Sequence, residues 1–174
     1  MRTLNESKIA DPIAHLQASF QQDGYLFIRS FFSSSLILSL REKIINVLES
    51  QGWGKWQESV FIAIEPVHRI NSPAFHDCIS LLMQEESLHE LSQNTSLCSF
   101  LSMLLEEPIY PHPRKMIRIT YPYAINPHDR VPPHQDVVYV KGEQDTFITW
   151  IPLGDYPPEQ GGLEVSPKTH KNGL

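Results

Sequence analysis

Cysteine is scarce in this chain. Cys78 and Cys98 are the two in 174 residues, and their spacing fits neither a zinc-ligand nor a redox pattern. Two reduced thiols in a cytoplasmic protein are therefore expected, not a disulfide framework. Basic charge is also short: 14 Lys and Arg stand against 20 Asp and Glu, for a net charge of −6. Nonspecific nucleic-acid binding needs a basic surface and is not expected. No run approaches eighteen apolar residues, so no membrane helix is expected. The opening "MRTLNESKIADP" lacks the apolar core of a secretory signal. No break in composition divides the chain, and residues 1–174 read as a single domain.

Proline is plentiful, with 14 residues, many of them in the second half. They punctuate a change of pattern. Before Pro108 the sequence is helical. Asp11 and Pro12 suit a helix start and Gly24 its end, with Ile13, Leu16 and Phe20 on one face. Ser34 or Ser35 should cap a second helix to about Gln51, with Ile37, Leu40, Ile44 and Leu48 as its buried stripe. Ser72-Pro73 should open a third, and two short helices should follow with a break at Asn94. "YLFIRSFF" (25–32) and "SVFIAIE" (59–65) read as strands. After Pro108, "KMIRITY" (115–121), "VVYV" (137–140), "TFITWIPL" (146–153) and "GGLEVS" (161–166) also read as strands. Helices first and strands later suggest an α+β fold, with a β-sandwich or barrel backed by helices.

The chemistry concentrates in "VPPHQDVVYV", residues 131–140. Residues two apart on an extended chain point to the same side, so His134 and Asp136 can converge on one ion. Two His and one carboxylate on one face of a metal make the ligand set of non-heme Fe(II) oxygenases. The pair alone is weak evidence. With eight His and seven Asp, about 0.3 such pairs arise by chance, and local turn hydrogen bonding is the competing reading.

Four stretches in order give the pair a context. They are "FQQDGYLFIRSFF" (20–32), "PPHQD" (132–136), "TFITWIPLGD" (146–155) and "QGGLEVSPKTHKNGL" (160–174). Together they resemble the phytanoyl-CoA dioxygenase family of Fe(II)- and 2-oxoglutarate-dependent oxygenases. Lys168-Thr169 and Gly154-Asp155 depart from the family's usual residues without touching the metal motif. The resemblance implies a double-stranded β-helix, the cupin-like jelly roll, with flanking N-terminal helices. It also implies Fe(II) as metal and 2-oxoglutarate as cosubstrate, spent as succinate and CO2 while a small organic substrate is hydroxylated. His134 and Asp136 map onto two metal ligands, and Trp150 onto a wall of the 2-oxoglutarate pocket. Arg118 and Thr120, on the strand expected before the motif, are further candidates for that pocket.

The family's second ligand His and its cosubstrate-binding Arg lie on strands beyond the last block. The resemblance therefore implies a chain lacking its C-terminal strands, either a fragment or a truncated product, with an incomplete jelly roll. His170 is the one His after Asp136, and a divergent site using it as third ligand is the remaining possibility. The competing function is a non-catalytic jelly-roll protein that binds a ligand or partner.

Overall fold

The computed structural model describes residues 4–58, 60–63, 72–119, 132–140, 146–155 and 162–173. They fall into two compact units, 30–118 and a second made from 1–29 with 119–174.

The unit over 30–118 is mostly helical. Helix α2 (Ser34–Ser50) starts where Ser33 Oγ accepts from the Leu36 amide at 3.3 Å, one or two residues before the expected cap. It buries Leu40, Ile44 and Ile45, while Ile37 and Leu48 are half-buried. Strands β3 (Gly54–Gln57) and β4 (Val60–Ala63) form an antiparallel hairpin in which Gln57 faces Val60. Gly54 is dictated by contact: a Cβ there would stand 2.2 Å from the Phe61 ring.

Helix α3 (Pro73–Leu82) follows the expected Ser-Pro start. Ser72 Oγ accepts from the Phe75 amide at 3.2 Å, and Pro73 takes a position whose missing N–H costs nothing. Helices α4 (Glu86–Ser92) and α5 (Thr95–Leu105) break at Asn94, whose Oδ1 accepts from the amides of Ser96 and Leu97. Leu97, Phe100 and Leu104 give α5 its buried face. Trp53, Cys78, Leu82 and Leu91 complete the core residues of this unit. Trp53 meets Phe75 edge-on at 5.7 Å and packs in the core.

The other unit is built around helix α1 (Ile13–Asp23). Pro12, not Asp11, occupies the cap position. Asp11 instead closes the preceding turn, its Oδ2 accepting from the Lys8 amide at 2.9 Å. Leu16 is buried, and Gly24 ends the helix at φ +79°, a region that glycine enters without penalty. The expected strand over 25–32 shrinks to β2 (Phe27–Ile28), which pairs in parallel with β1 (Glu6–Ser7). Ser30 at φ +53° breaks the extended run.

The late strands are the main correction. Among the described residues, 115–119, 146–155 and 162–166 carry no strand, and Val137–Val140 form a helical turn, α6. The physical reason is pairing. β-Branched residues favour strands when a neighbouring strand offers partners. Without a ladder, local bonds take over: the amides of Tyr139 and Val140 both donate to Asp136 O at 2.9 Å. The described fold is thus mixed helix with two small two-stranded sheets, and it contains no closed barrel. No helix among the described residues is long and apolar enough to cross a membrane.

Two measurements test this core. Leu82 is fully buried, so Leu82→Ala should lower stability by about 2–5 kcal/mol in urea unfolding. Burial pushes the Cys78 thiol above its ordinary pKa, leaving less thiolate at any pH, whereas Cys98 is only half-buried. Iodoacetamide labelling followed by mass mapping should therefore modify Cys98 well before Cys78 in the native protein.

Candidate metal centre

His134 and Asp136 are brought together. His134 Nε2 lies 3.2 Å from Asp136 Oδ1, with both side chains about one-quarter exposed. The means differs from the strand geometry expected for them. Asp136 opens the helical turn α6, and its main-chain oxygen is taken by that turn while its carboxylate faces His134. Tyr139, carried back by the same turn, sets its ring edge-on to the imidazole at 5.3 Å.

The other ring nitrogen fixes the chemistry. His134 Nδ1 stands 2.8 Å from Pro132 O. A carbonyl oxygen only accepts, so Nδ1 carries the proton. Asp136 Oδ1 also only accepts, so Nε2 faces it either as an N–H donor or, where an ion replaces that proton, as a ligand. This is how proteins orient ligating histidines, with a backbone carbonyl holding the non-ligating N–H.

The spacing suits a metal as well. Two donors about 2.1 Å from one ion and at right angles around it are about 3 Å apart. The 3.2 Å between Nε2 and Oδ1 is close to that value. The pair therefore fits as two ligands of a divalent ion. Among the described residues no group of three or more His, Cys, Asp or Glu gathers to complete a set.

His170 does not supply the third ligand. Its Nε2 is 3.2 Å from Gln21 O, again a carbonyl, so Nε2 is the donor. Its Nδ1 lies against Gly24, 2.3 Å from where a Cβ would stand. Nε2 is thus engaged by the end of α1, and among the described residues His170 does not join His134 and Asp136 in a ligand set. Gln135, between the two candidate ligands, is an amide whose side chain can steady the adjacent backbone. Its Nε2 donates instead to Gly173 O at 2.9 Å, thirty-eight residues away.

The cosubstrate candidates fall in different parts of the chain. Trp150 lies in an irregular stretch of the same unit as His134 and is 46% exposed. Arg118 is exposed in the other unit. Thr120 lies outside the described residues. His112 is exposed, with Nδ1 accepting from the Arg114 amide.

Parts of all four stretches singled out in the sequence meet within one unit. The Lys168 amide donates to Asp23 O at 3.0 Å, His170 bonds Gln21, Gln135 bonds Gly173, and Phe147 packs on Phe20 at 5.5 Å. The sequence profile of the phytanoyl-CoA dioxygenase (PhyH) family matches residues 20–174, the span over which these stretches run. The chain belongs to the phytanoyl-CoA dioxygenase family. No solved structure matches it. The family's fold is a cupin-type jelly roll and its members are generally oxygenases.

Members of the family are typically dependent on Fe(II) and 2-oxoglutarate. Sequence reasoning found the His134–Asp136 pair but missed Pro132 O, Gln21, Gly24 and Gly173 as its supports. The signal available for them was slight: a Gly after a helix and a His in a late turn.

The tautomers can be read directly. With Zn(II) bound as a diamagnetic probe, long-range 1H–15N correlation spectra should show the proton on Nδ1 for His134, and with or without the ion on Nε2 for His170. The reverse assignment for His134 would remove its fitness as an Nε2 ligand.

Proposed function

We propose that this chain is a non-heme Fe(II)/2-oxoglutarate-dependent dioxygenase that hydroxylates a small organic substrate on a jelly-roll framework. The observation that carries the reading is the His134 Nε2–Asp136 Oδ1 pair with Nδ1 held by Pro132 O, within a family of oxygenases. With Fe(II) bound, 2-oxoglutarate, O2 and a C–H substrate would give succinate, CO2 and the hydroxylated product, the difficult step belonging to the cofactor.

The protein's part is to bind and orient. His134 offers a neutral nitrogen donor, and Asp136 offers a carboxylate that offsets part of the ion's charge. Pro132 O prevents the imidazole from turning its protonated nitrogen inward. The Tyr139 ring covers one side of the imidazole, limiting water there. Trp150 would flank the cosubstrate, with Arg118 and Thr120 as further candidates to meet its carboxylates.

A second reading is favoured by one observation. Among the described residues no third ligand joins the pair. A non-catalytic member that binds a ligand or partner would need none.

Anaerobic titration with Fe(II) and 2-oxoglutarate separates the two. The oxygenase reading expects saturable binding and a weak visible charge-transfer band, both abolished in Asp136→Ala and His134→Ala. Tight 2-oxoglutarate or substrate binding without iron uptake would sink it in favour of the non-catalytic member.

A further inference from the structure

The end of helix α1 and the metal motif are 110 residues apart in sequence, yet a short series of contacts joins them. The first link is at Gly24. The His170 ring lies over it, its Nε2 donating to Gln21 O at 3.2 Å, and the Lys168 amide donates to Asp23 O at 3.0 Å. Helix α1 leaves the carbonyls of its last turn without helical partners, and these two donors take them.

The second link is a rigid spacer. Thr169–Asn172 form a 3-10 turn, closed by the Lys171 amide on Lys168 O at 3.3 Å and by Thr169 Oγ1 donating to Ser166 O at 2.8 Å. It carries the chain from His170 to Gly173. The third link is Gln135 Nε2 donating to Gly173 O at 2.9 Å. Gln135 stands between the two candidate ligands, so any shift of Gly173 is felt at both.

We infer that His170 and Gln135 are positioning residues acting in series, which use the C-terminal end of α1 as the fixed point that holds His134 and Asp136 in register. The functional consequence rests on the metal reading, while the mechanical link does not. Gln135 sits in a largely exposed segment, and among the described residues its bond to Gly173 is the remote hydrogen bond that holds it, so losing that bond loosens the motif. The glycine at 24 is part of the device. A side chain there would displace the His170 ring, and the +79° φ disfavours one in any case.

The test uses the full chain with Gln135→Glu, which removes the donor at nearly constant shape, and with His170→Ala. His170→Gln, which keeps a donor, serves as the rescue. Millisecond hydrogen exchange is read at the amides of Val138, Tyr139 and Val140, and Ni(II) binding is read by calorimetry as a probe for the pair. Exchange at these amides should rise about fivefold in both single variants, the ratio that roughly 1 kcal/mol corresponds to. Ni(II) affinity should fall about tenfold, the scale of lost outer-shell support.

His170→Gln should return both readouts towards wild type. The double variant should be no worse than the worse single one, because the links act in series. Asn94→Ala, a cap loss in the other unit, should leave exchange at 138–140 unchanged. Unchanged exchange in both single variants, or additive effects in the double one, would overturn the inference. If the wild-type chain takes up no Ni(II) while the exchange pattern appears as described, the metal reading fails and the positioning link stands.

Discussion

The contact on which this architecture turns is the one between His170 and Gly24. A helix must end with its last carbonyls satisfied, and α1 ends at a left-handed glycine with no side chain to block approach. The His170 ring fills that space and hydrogen-bonds the exposed Gln21 oxygen. Everything chemically interesting in the unit hangs from this junction: the 3-10 turn after Lys168, the Gly173 oxygen, and through Gln135 the candidate ligands. The Arg29–Glu6 ion pair, by contrast, is 3.0 Å long but largely in solvent, where such pairs contribute little. In this unit stability and geometry come from a helix end and a few backbone-directed side-chain bonds.

How legible was this in the sequence? Helix starts were nearly all readable, because a cap is decided by residues within four positions. Ser33, Ser72 and Asn94 show it, each accepting from amides two or three residues on. The misplacements at Asp11 and at Ser34 or Ser35 are of one or two residues. They arise where neighbouring residues compete for the same role, as Asp11 does by closing its own turn.

Strands were far less readable, since a strand exists through a partner that local pattern does not name. The run Val137–Val140 has strong β propensity and still forms a helical turn, held by bonds to Gln135 O and Asp136 O. At the site, the His134–Asp136 pair could be read because its members are two residues apart. The Gln135–Gly173 and His170–Gln21 bonds could not, at separations of 38 and 149 residues. The tautomer of His134 was equally hidden, being set by a proline carbonyl that any residue could have supplied.

The division of the chain has a consequence for the order in which it folds. Residues 30–118 form one continuous unit, whereas the other draws on both flanking segments. The continuous unit can therefore assemble from local contacts as soon as its own residues are available. Helix α1 is made earlier in synthesis than any of them but must wait for His170 before its end is covered. Closing a flexible loop of that length costs about 4 kcal/mol beyond a constant term, unless the intervening unit has already folded and withdrawn its residues from the loop. Early folding of the continuous unit would thus shorten the loop that the discontinuous one has to close, a matter of timing and not of the candidate site's geometry.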